Sequence, residues 1–463
     1  MNSAQNSELS SINPFDGQAL RTYTKFDLLQ LDTVLQKVSA AQQQWKNTDV
    51  SVRVRLLEKL AQVLRKREQE LATLATQEMG KTLVSAKAEV QKCADACDYY
   101  ARHGPAYIAD ELIASDDNAE RIISYQPLGI VLAVMPWNFP FWQVFRCLVP
   151  AFMAGNAVVL KHASNVPGCS LAIESVCLEA GAPEFLFKSL LVSGGDARAL
   201  IEHPLVSAVS FTGSTDAGRK IAATAGRHLK KCVLELGGSD AYLVLEDADI
   251  DMAVEKCVTS RLLNNGQSCI AAKRFLVHNS IYGEFAEKFA AAFRLQTSGN
   301  PMLSDTDIGP LARPDLAQDL AAQVAESVRL GAVLVCGGLR VSESESDAFY
   351  PPTVLGEVRP GMPAFDEELF GPVAALIRVR SDEEAISLAN HSEFGLGSGV
   401  FSRDGIRARQ VAAQLQSGNC AVNDFVKSDP RMPFGGIKAS GYGRELSHFG
   451  LREFTNIKST VIR

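Results

Sequence analysis

The stretch Ile130-Val131-Leu132-Ala133-Val134-Met135 is apolar at every position and lies between Gly129 and Pro136. Such a run predicts a β-strand that is buried on both faces. Three similar runs follow along the chain, at residues 157–160, 190–192 and 208–211. Helical patterns separate the later runs, at residues 166–180 and 197–202. The sequence therefore predicts an α/β fold built on a doubly wound parallel sheet.

The same alternation continues beyond Gly237 and Gly238, which form a candidate hinge. Candidate strands lie at residues 242–245, 275–277, 333–335, 373–377 and 420–423. Candidate helices lie at residues 249–263, 281–295, 315–331 and 383–390. A long amphipathic helix is predicted upstream, at residues 54–79, and Gly80 should end it. With 463 residues, the chain is long enough for two such lobes.

Composition and charge narrow the classes of function. Hydrophobic residues make up 46% of the chain and charged residues 21%, which is ordinary for a globular protein. The net charge of −7 argues against a nucleic-acid partner. Residues 122–145 carry no charge, but Pro127, Pro136 and Pro140 interrupt them, so no membrane span is predicted.

The ten cysteines are scattered, and only Cys93 and Cys97 lie close together. No zinc-type pair of Cys or His follows them, so two half-buried thiols are favoured over a metal site and no metal is predicted. Residues 1–11 are polar and lack the apolar core of a signal peptide. A reducing cytoplasm with free thiols fits these features.

Three short segments carry candidate reactive groups. Cys269 stands in Leu-Asn-Asn-Gly-Gln-Ser-Cys-Ile-Ala (263–271), a polar loop of the kind that carries function. Glu235 ends a short apolar run, and a carboxylate there needs a cleft or a partner. Asn138 lies in Pro136-Trp137-Asn138-Phe139-Pro140. Taken singly, each has an ordinary structural explanation. Together, a thiol, a carboxylate and an amide donor are what covalent chemistry on a carbonyl carbon requires.

A second set of features suits a bound phosphate. Phe211-Thr212-Gly213-Ser214-Thr215-Asp216-Ala217-Gly218 follows a predicted strand and opens a helix, whose first N–H groups favour anions. Its glycine spacing is unusual for a dinucleotide site, so a plain strand-to-helix turn is the alternative. Lys161 follows the run 157–160 at the sheet edge where such folds bind ligands, although an exposed cation would look the same.

These segments occur in the order and spacing of the NAD(P)-dependent aldehyde dehydrogenase superfamily, which the chain resembles over nearly its whole length. Glu367-Glu368-Leu369-Phe370-Gly371-Pro372 and Pro433-Phe434-Gly435-Gly436 extend the match. Leu160-Lys161-His162-Ala163 and Arg444-Glu445-Leu446-Ser447-His448-Phe449-Gly450 are similar to its bacterial succinate-semialdehyde dehydrogenase branch.

The resemblance implies that Cys269 is the nucleophile and Glu235 the general base for deacylation. Asn138 and the backbone N–H of Cys269 would form the oxyanion hole. The carboxylate favours transfer of the acyl group to water, because relatives that acylate coenzyme A generally lack this base. Two competing hypotheses are a catalytically silent relative, which retention of all three groups disfavours, and a thiol protease, for which no histidine stands in a partner motif.

The resemblance also implies a site for NAD or NADP, formed by Met135, Trp137, Lys161, Ser164, Gly213, Ser214, Gly218, Leu236, Glu368 and Phe370. Lys161 would contact the adenosine ribose, Gly213 and Ser214 would face the pyrophosphate, and Glu368 would hold the nicotinamide ribose beside Phe370. Many NAD-selective relatives carry a glutamate where Ser164 stands. Its absence leaves room for a 2′-phosphate, so we expect both cofactors to be used.

The expected substrate is a small aldehyde, and succinate semialdehyde is favoured. In semialdehyde dehydrogenases an arginine matching Arg146 binds the distal carboxylate. A charge-assisted contact of this kind would suit succinate semialdehyde. A second arginine of those relatives is replaced by Leu263, so Arg431 and Ser428 are candidates for the same role. Arg146 could instead form a salt bridge between the lobes, and the enzyme could act on a different aldehyde.

The resemblance divides the chain into three parts. Residues 1–106 and 125–235 would bind the cofactor, residues 236–429 would form the catalytic lobe, and residues 107–124 and 437–463 would form a small β arm. Such an arm buries apolar surface only when a second subunit supplies the partner edge. We therefore expect a homodimer or homotetramer.

Overall fold

The structure, a computed structural model, describes residues 8–113, 119–338 and 346–463. The β-strands in these ranges are β1 (Glu8–Ile12), β2 (Ala19–Thr24), β3 (Glu111–Ile113), β4 (Glu120–Pro127), β5 (Ile130–Met135), β6 (Ala157–His162), β7 (Phe187–Ser189), β8 (Val206–Thr212), β9 (Lys231–Glu235), β10 (Ala241–Val244), β11 (Arg274–His278), β12 (Val333–Cys336), β13 (Thr353–Gly356), β14 (Val373–Val379), β15 (Gly397–Phe401), β16 (Asn419–Val422), β17 (Gly441–Tyr442) and β18 (Thr455–Ile462).

The α-helices in the same ranges are α1 (Leu31–Trp45), α2 (Val50–Lys66), α3 (Glu68–Met79), α4 (Leu83–Tyr107), α5 (Trp142–Met153), α6 (Pro167–Glu179), α7 (Ala197–Glu202), α8 (Thr215–Arg227), α9 (Ile250–Leu262), α10 (Tyr282–Arg294), α11 (Pro314–Arg329), α12 (Pro363–Asp366), α13 (Asp382–Asn390), α14 (Gly405–Ala412) and α15 (Ser447–Glu453).

The first large sheet has the strand order β17-β9-β8-β5-β6-β7. The strands from β9 to β7 run parallel, and β17 is antiparallel to β9. All residues of β5 and β6 are buried, as their uninterrupted apolar character predicts. The parallel α/β sheet expected from the sequence is confirmed, and its carboxyl edge lines up the ends of β5, β6, β8 and β9.

The second large sheet has the order β12-β13-β14-β11-β10-β15-β16, and only its edge strand β12 is antiparallel. Successive side chains of β10 enter two different apolar layers. Leu243 packs in one layer, whereas Tyr242 and Val244 pack in the other. The sheet is therefore covered on both faces, which accounts for the apolar runs of the second half of the chain.

A three-stranded antiparallel sheet, β18-β4-β3, is separate from both large sheets. It pairs Glu120–Pro127 with Thr455–Ile462 along its whole length. Residues 114–118 of the predicted arm lie outside the described residues. The arm also differs from the prediction because β4 extends to Pro127 and β17 joins the first large sheet. The C-terminal segment therefore contributes to two sheets.

Some local predictions were wrong. The third strand of the first sheet is β7 and not residues 190–192, because Phe187–Ser189 are the residues in register with β6. The helix predicted at residues 54–79 is divided into α2 and α3 at Arg67, whose φ of −101° and ψ of 11° are not helical. The Arg67 guanidinium is held there by Glu70 and Glu179.

None of the helices in the described ranges is both long and apolar enough to span a bilayer.

Gly80 ends α3 in the left-handed conformation, with φ of 81°, as the sequence predicts. A Cβ atom at this position would lie 2.7 Å from the carbonyl oxygen of Pro310. We expect Gly80→Ala to lower the free energy of unfolding by more than the ~1 kcal/mol that a left-handed alanine costs, because the backbone contact adds to it. Gly181→Ala is the matched control, since Gly181 has φ of 89° and no atom within 4 Å of its added Cβ.

The measurement is the urea midpoint of both variants against the unchanged protein. Equal losses for the two variants would contradict the steric part of the prediction.

Candidate active site

Cys269 follows a sharp reversal of the chain at the end of α9. Asn264 and Asn265 both adopt left-handed conformations, with φ of 58° and 57°, and asparagine tolerates this region better than most residues. Gly266 follows with φ of 73°, where a Cβ atom would collide with the backbone of Gly371. The Asn-Asn-Gly sequence thus redirects the chain so that Cys269 is partly exposed beside a cavity.

Two side chains hold this loop in place through hydrogen bonds to backbone carbonyl oxygens. The Asn265 amide donates to the carbonyl oxygens of Gly80 and Pro310, at 3.1 and 3.0 Å. The buried Lys273 ammonium donates to the carbonyl oxygens of Ser268 and Cys269, at 3.0 and 2.7 Å. The sequence interpretation missed Lys273, although its position four residues after Cys269 was a usable signal.

Asn138 lies next to the cysteine loop with its amide orientation determined. Its Nδ2 donates to the carbonyl oxygen of Gln267 at 3.1 Å, and its backbone carbonyl oxygen accepts from the Asn264 side-chain amide at 2.8 Å. Because a flipped amide would face Gln267 with an oxygen, the donor side is the side that faces the loop. The Asn138 side-chain amide has two N–H hydrogens, and Gln267 uses one of them. The other is available as a donor, as an oxyanion site requires.

The cysteine's own backbone supplies a second donor. In the part of the chain that the structure describes, the Cys269 backbone N–H has no hydrogen-bond acceptor.

The Asn138 loop is itself held by a buried ion pair that the sequence interpretation missed. Glu89 accepts hydrogen bonds from the backbone N–H groups of Phe141 and Trp142, at 2.8 and 2.9 Å, and forms an ion pair with Lys81. A carboxylate at this position stabilises the start of α5. No local sequence pattern indicates a contact of this kind, because Glu89 lies about fifty residues before the helix that it caps.

Glu235 ends β9 and is 1% exposed. Neither of its carboxylate oxygens has a hydrogen-bond donor among the described residues. Burial raises the pKa of Glu235 well above its usual value, Glu445 raises it further, and Arg146 and Arg444 oppose this shift. A carboxylate with a raised pKa is a stronger base, which suits proton abstraction from water.

Arg146 lies on α5 and is buried, 2% exposed. Its Nε forms an ion pair with Glu445, its Nη2 donates to Thr212 Oγ1 at 3.3 Å, and its guanidinium covers the Phe434 ring. A salt bridge of Arg146 is therefore present, and the same side chain also lines the cavity beside Cys269. Glu445 belongs to a segment that the sequence interpretation quoted without giving it a role.

The cofactor residues predicted on the first sheet lie along its carboxyl edge. Met135 and His162 are neighbours across β5 and β6, and Lys161 precedes His162. The His162 ring stays neutral, because burial lowers its pKa to about 4, and its Nε2 contacts the Pro140 carbonyl oxygen at 2.8 Å. Ser164 is exposed just beyond this edge.

The start of α8 has the features that a pyrophosphate requires. Ser214 caps the helix by accepting from the Ala217 N–H, and Gly213 precedes it without a side chain to block the approach. A Cβ atom on Gly218 would lie 2.4 Å from the Leu236 side chain, so the glycine allows α8 to pack against the segment after β9. These residues fit a dinucleotide whose phosphates sit at a helix start.

Glu368 and Phe370 belong to the second lobe, and Phe370 contacts Trp137, which follows β5 of the first sheet. Glu368 accepts from the Gly238 N–H at 3.1 Å and lies 3.5 Å from the Lys273 ammonium. The rings of Phe370 and Trp137 meet edge to face at 5.8 Å. Lys273 thus connects the cysteine loop to the carboxylate expected at the nicotinamide ribose.

A cavity of about 270 Å³ opens beside Cys269. Arg146, Ser428 and Leu263 are among its lining residues. Arg431 is not, because its guanidinium pairs with Asp429 at 2.5 Å and 75% of its side chain is exposed. A contact of Arg431 with the substrate therefore stays a prediction from the resemblance.

Within the described ranges, no cluster of three or more His, Cys, Asp or Glu side chains is arranged to hold a metal ion. Cys93 and Cys97 are free thiols, as the sequence favours, but they are fully buried and not half-buried.

Comparison with known proteins identifies the class. The model of the aldehyde dehydrogenase family matches residues 1–460. The chain therefore belongs to the aldehyde dehydrogenase family, and the resemblance inferred from its motifs is confirmed.

Particular relatives carry more specific names. The chain is 45% identical to a probable succinate-semialdehyde dehydrogenase (NADP+) of Synechocystis, over 98% of this chain and 99% of that protein. It is 44% identical to a succinate semialdehyde dehydrogenase (NAD(P)+) of Escherichia coli, over 97% and 96% of the two chains. The crystal structure of the Streptococcus pyogenes succinic semialdehyde dehydrogenase in complex with NADP+ superposes with a TM-score of 0.95 at 36% identity, covering 98% of this chain and 99% of that one.

The Cys269 thiol gives a pH-dependent prediction. Burial raises its pKa to about 12, against the opposing effect of Arg146 and Lys273. The thiolate fraction should therefore rise about tenfold per pH unit from pH 7 to pH 10. We expect the alkylation rate of Cys269 by iodoacetamide, without cofactor, to rise in the same proportion. Mass spectrometry of the peptide that contains Cys269 measures this rate, and Cys269→Ser is the control. A plateau below pH 8 would contradict the raised pKa.

Proposed function

We propose that this protein oxidises succinate semialdehyde to the dicarboxylate with NADP+ or NAD+. The observation that carries the proposal is the cavity beside Cys269, which joins the nucleophile to the cationic and hydroxyl groups of Arg146 and Ser428. A small aldehyde with a carboxylate at its other end matches these groups. The names of the relatives support the same substrate.

Cys269, Asn138 and Glu235 would each have a separate role in this reaction. Cys269 adds its thiolate to the aldehyde carbon, and Asn138 with the Cys269 backbone N–H stabilises the oxyanion, an effect of ~3–4 kcal/mol for one donor. NAD(P)+, when bound, would accept the hydride that leaves the thiohemiacetal carbon, so that a thioester on Cys269 remains. Glu235 then removes a proton from the water that hydrolyses the Cys269 thioester. Because relatives that acylate coenzyme A generally lack this base, the presence of Glu235 favours water as the acyl acceptor.

We propose a division of the chain into residues 1–106 and 125–235, which would bind most of the cofactor, and residues 236–429, which carry Cys269 and the remaining cofactor residues Leu236, Glu368 and Phe370. Lys161 would contact the adenosine ribose, and Gly213 and Ser214 the pyrophosphate. Ser164 is exposed and uncharged, so it would not repel a 2′-phosphate. This supports the use of both NADP+ and NAD+. The ten free thiols support a reducing cytoplasm as the working compartment.

Glu235→Gln tests both the substrate and the division of steps. The unchanged enzyme should reduce NADP+ or NAD+ when succinate semialdehyde is added. In Glu235→Gln we expect one equivalent of reduced cofactor per active site, followed by turnover about 10²–10⁴-fold slower, because the thioester loses its base. Stopped-flow absorbance of the reduced cofactor measures the burst, and Cys269→Ala should abolish both phases. Failure of the unchanged enzyme to oxidise succinate semialdehyde would overturn the proposed substrate.

We also propose that the three-stranded sheet mediates a homodimer or homotetramer. Leu112, Ile457 and Val461 are 69%, 61% and 59% exposed on this sheet, which is more apolar surface than an isolated arm should leave in water. The supporting argument is that a partner subunit would cover these side chains.

Ile457→Asp combined with Val461→Asp should convert the oligomer to a smaller species, because two carboxylates would be buried without partners. Light scattering after size-exclusion chromatography at micromolar concentration measures the mass. Leu29→Asp is the control, since Leu29 is 93% exposed outside the sheet. A monomeric unchanged protein would contradict the proposal.

A further inference from the structure

Lys92 belongs to the wall of the cavity beside Cys269, and neither the sequence interpretation nor the proposed reaction gives it a role. It lies on α4, and its ammonium is 4.4 Å from the centre of the Trp142 ring. It donates to Ser428 Oγ at 2.6 Å.

The hydroxyl of Ser428 has only one hydrogen-bonding role left. It accepts from Trp142 Nε1 at 3.0 Å as well as from Lys92 Nζ. A hydroxyl group has two acceptor lone pairs and one donor hydrogen, so these two bonds use both lone pairs. Its hydrogen must therefore be donated. The Lys92 ammonium and the Ser428 hydroxyl therefore present only hydrogen-bond donors. A carboxylate accepts such bonds, whereas an alkyl chain does not.

Among the cations that line the cavity, Lys92 is the one without an ion-pair partner in the described residues, because Lys427 is paired with Asp424 at 3.0 Å and Arg146 with Glu445. The guanidinium of Arg146 is paired with Glu445, and the carboxylate of Glu89 is paired with Lys81 and with two backbone N–H groups. Across the ranges 8–113, 119–338 and 346–463, Lys92 forms no ion pair. The Trp142 ring favours a cation at this distance without cancelling its charge.

We propose that Lys92 is a specificity-determining residue that, with the Ser428 hydroxyl, binds the carboxylate at the far end of the aldehyde substrate. This inference rests on the proposed oxidation of a carboxylate-bearing aldehyde. Arg146 lines the same cavity and is already paired with Glu445, and Lys92 adds the unpaired charge that selects a semialdehyde over an uncharged aldehyde.

The charge of Lys92 should depend on pH in the working range. Burial lowers its pKa to about 8, and Arg146 on α5 lowers it as well. Cys93 and Glu89 on α4 and Asp429 on the loop beyond Ser428 act in the opposite direction. The ammonium is therefore present below about pH 8 and is lost above it, whereas the substrate carboxylate is ionised throughout. The preference for a charged aldehyde should fall as the pH rises through 8.

The test compares succinate semialdehyde with butanal, an uncharged aldehyde of the same carbon number, at a fixed NADP+ concentration. At pH 7 we expect Lys92→Met to raise the KM for succinate semialdehyde about 10- to 100-fold, the usual effect of losing a hydrogen bond to a charged group. The kcat for both aldehydes and the KM for butanal should change less than about twofold. Lys92→Arg should retain most of the preference. Lys87→Met, on the same helix but away from the cavity lining, is the matched control.

A second measurement needs no variant. In the unchanged enzyme, the ratio of kcat/KM for succinate semialdehyde to that for butanal should fall between pH 7 and pH 9.5 as Lys92 loses its proton. Titration of Cys269 and Glu235 affects both aldehydes alike and therefore cancels in this ratio. A ratio that does not change with pH overturns the inference, as does a folded Lys92→Met variant with an unchanged KM or with equal losses on both aldehydes. If the unchanged enzyme oxidises butanal and not succinate semialdehyde, the proposed function fails instead.

Discussion

The active site depends on one buried cation, the ammonium of Lys273. It holds two carbonyl oxygens of the cysteine loop and lies beside the Glu368 carboxylate of the same lobe. Because both carbonyl oxygens point toward Lys273, the adjoining backbone N–H groups point away from it, and the N–H of Cys269 is left as a donor. Burial lowers the pKa of Lys273, and Glu368 opposes this shift. One side chain therefore relates the nucleophile, the oxyanion donor and the cofactor carboxylate.

The ionisable groups near Glu235 illustrate how a strong base is kept in an apolar interior. Arg146 and Glu445 form a buried ion pair close to it. Because the charges of these two side chains offset each other, the positive charge of Arg146 is not free to neutralise Glu235. Removal of one partner of such a pair would leave an uncompensated buried charge, which is far more costly than the pair itself. The pair therefore fixes the field in which Glu235 works without donating a hydrogen bond to it.

The sequence predicted well what depends on local pattern or on a resemblance, and poorly what depends on distant contacts. The buried strand β5 was recognisable because its apolar run is uninterrupted, whereas β15 was missed because Gly397 and Gly399 dilute it. The glycines are needed there since a Cβ atom would meet Asp240 or Tyr242. Cys269, Glu235 and Asn138 stand in recognisable motifs. Lys92 does not, because its partners Ser428 and Trp142 are distant in sequence and their meeting is set by the fold.

The pairing of β17 with β9 has a consequence for the newly made chain. Gly441 and Tyr442 border the strand that ends at Glu235, and Glu445 reaches Arg146, although about two hundred residues separate β9 from these positions. During synthesis, residues up to 445 must leave the ribosome before this edge of the sheet can close. A nascent chain therefore carries its cysteine well before it carries the surroundings of its base, and competence is acquired only with the last few dozen residues.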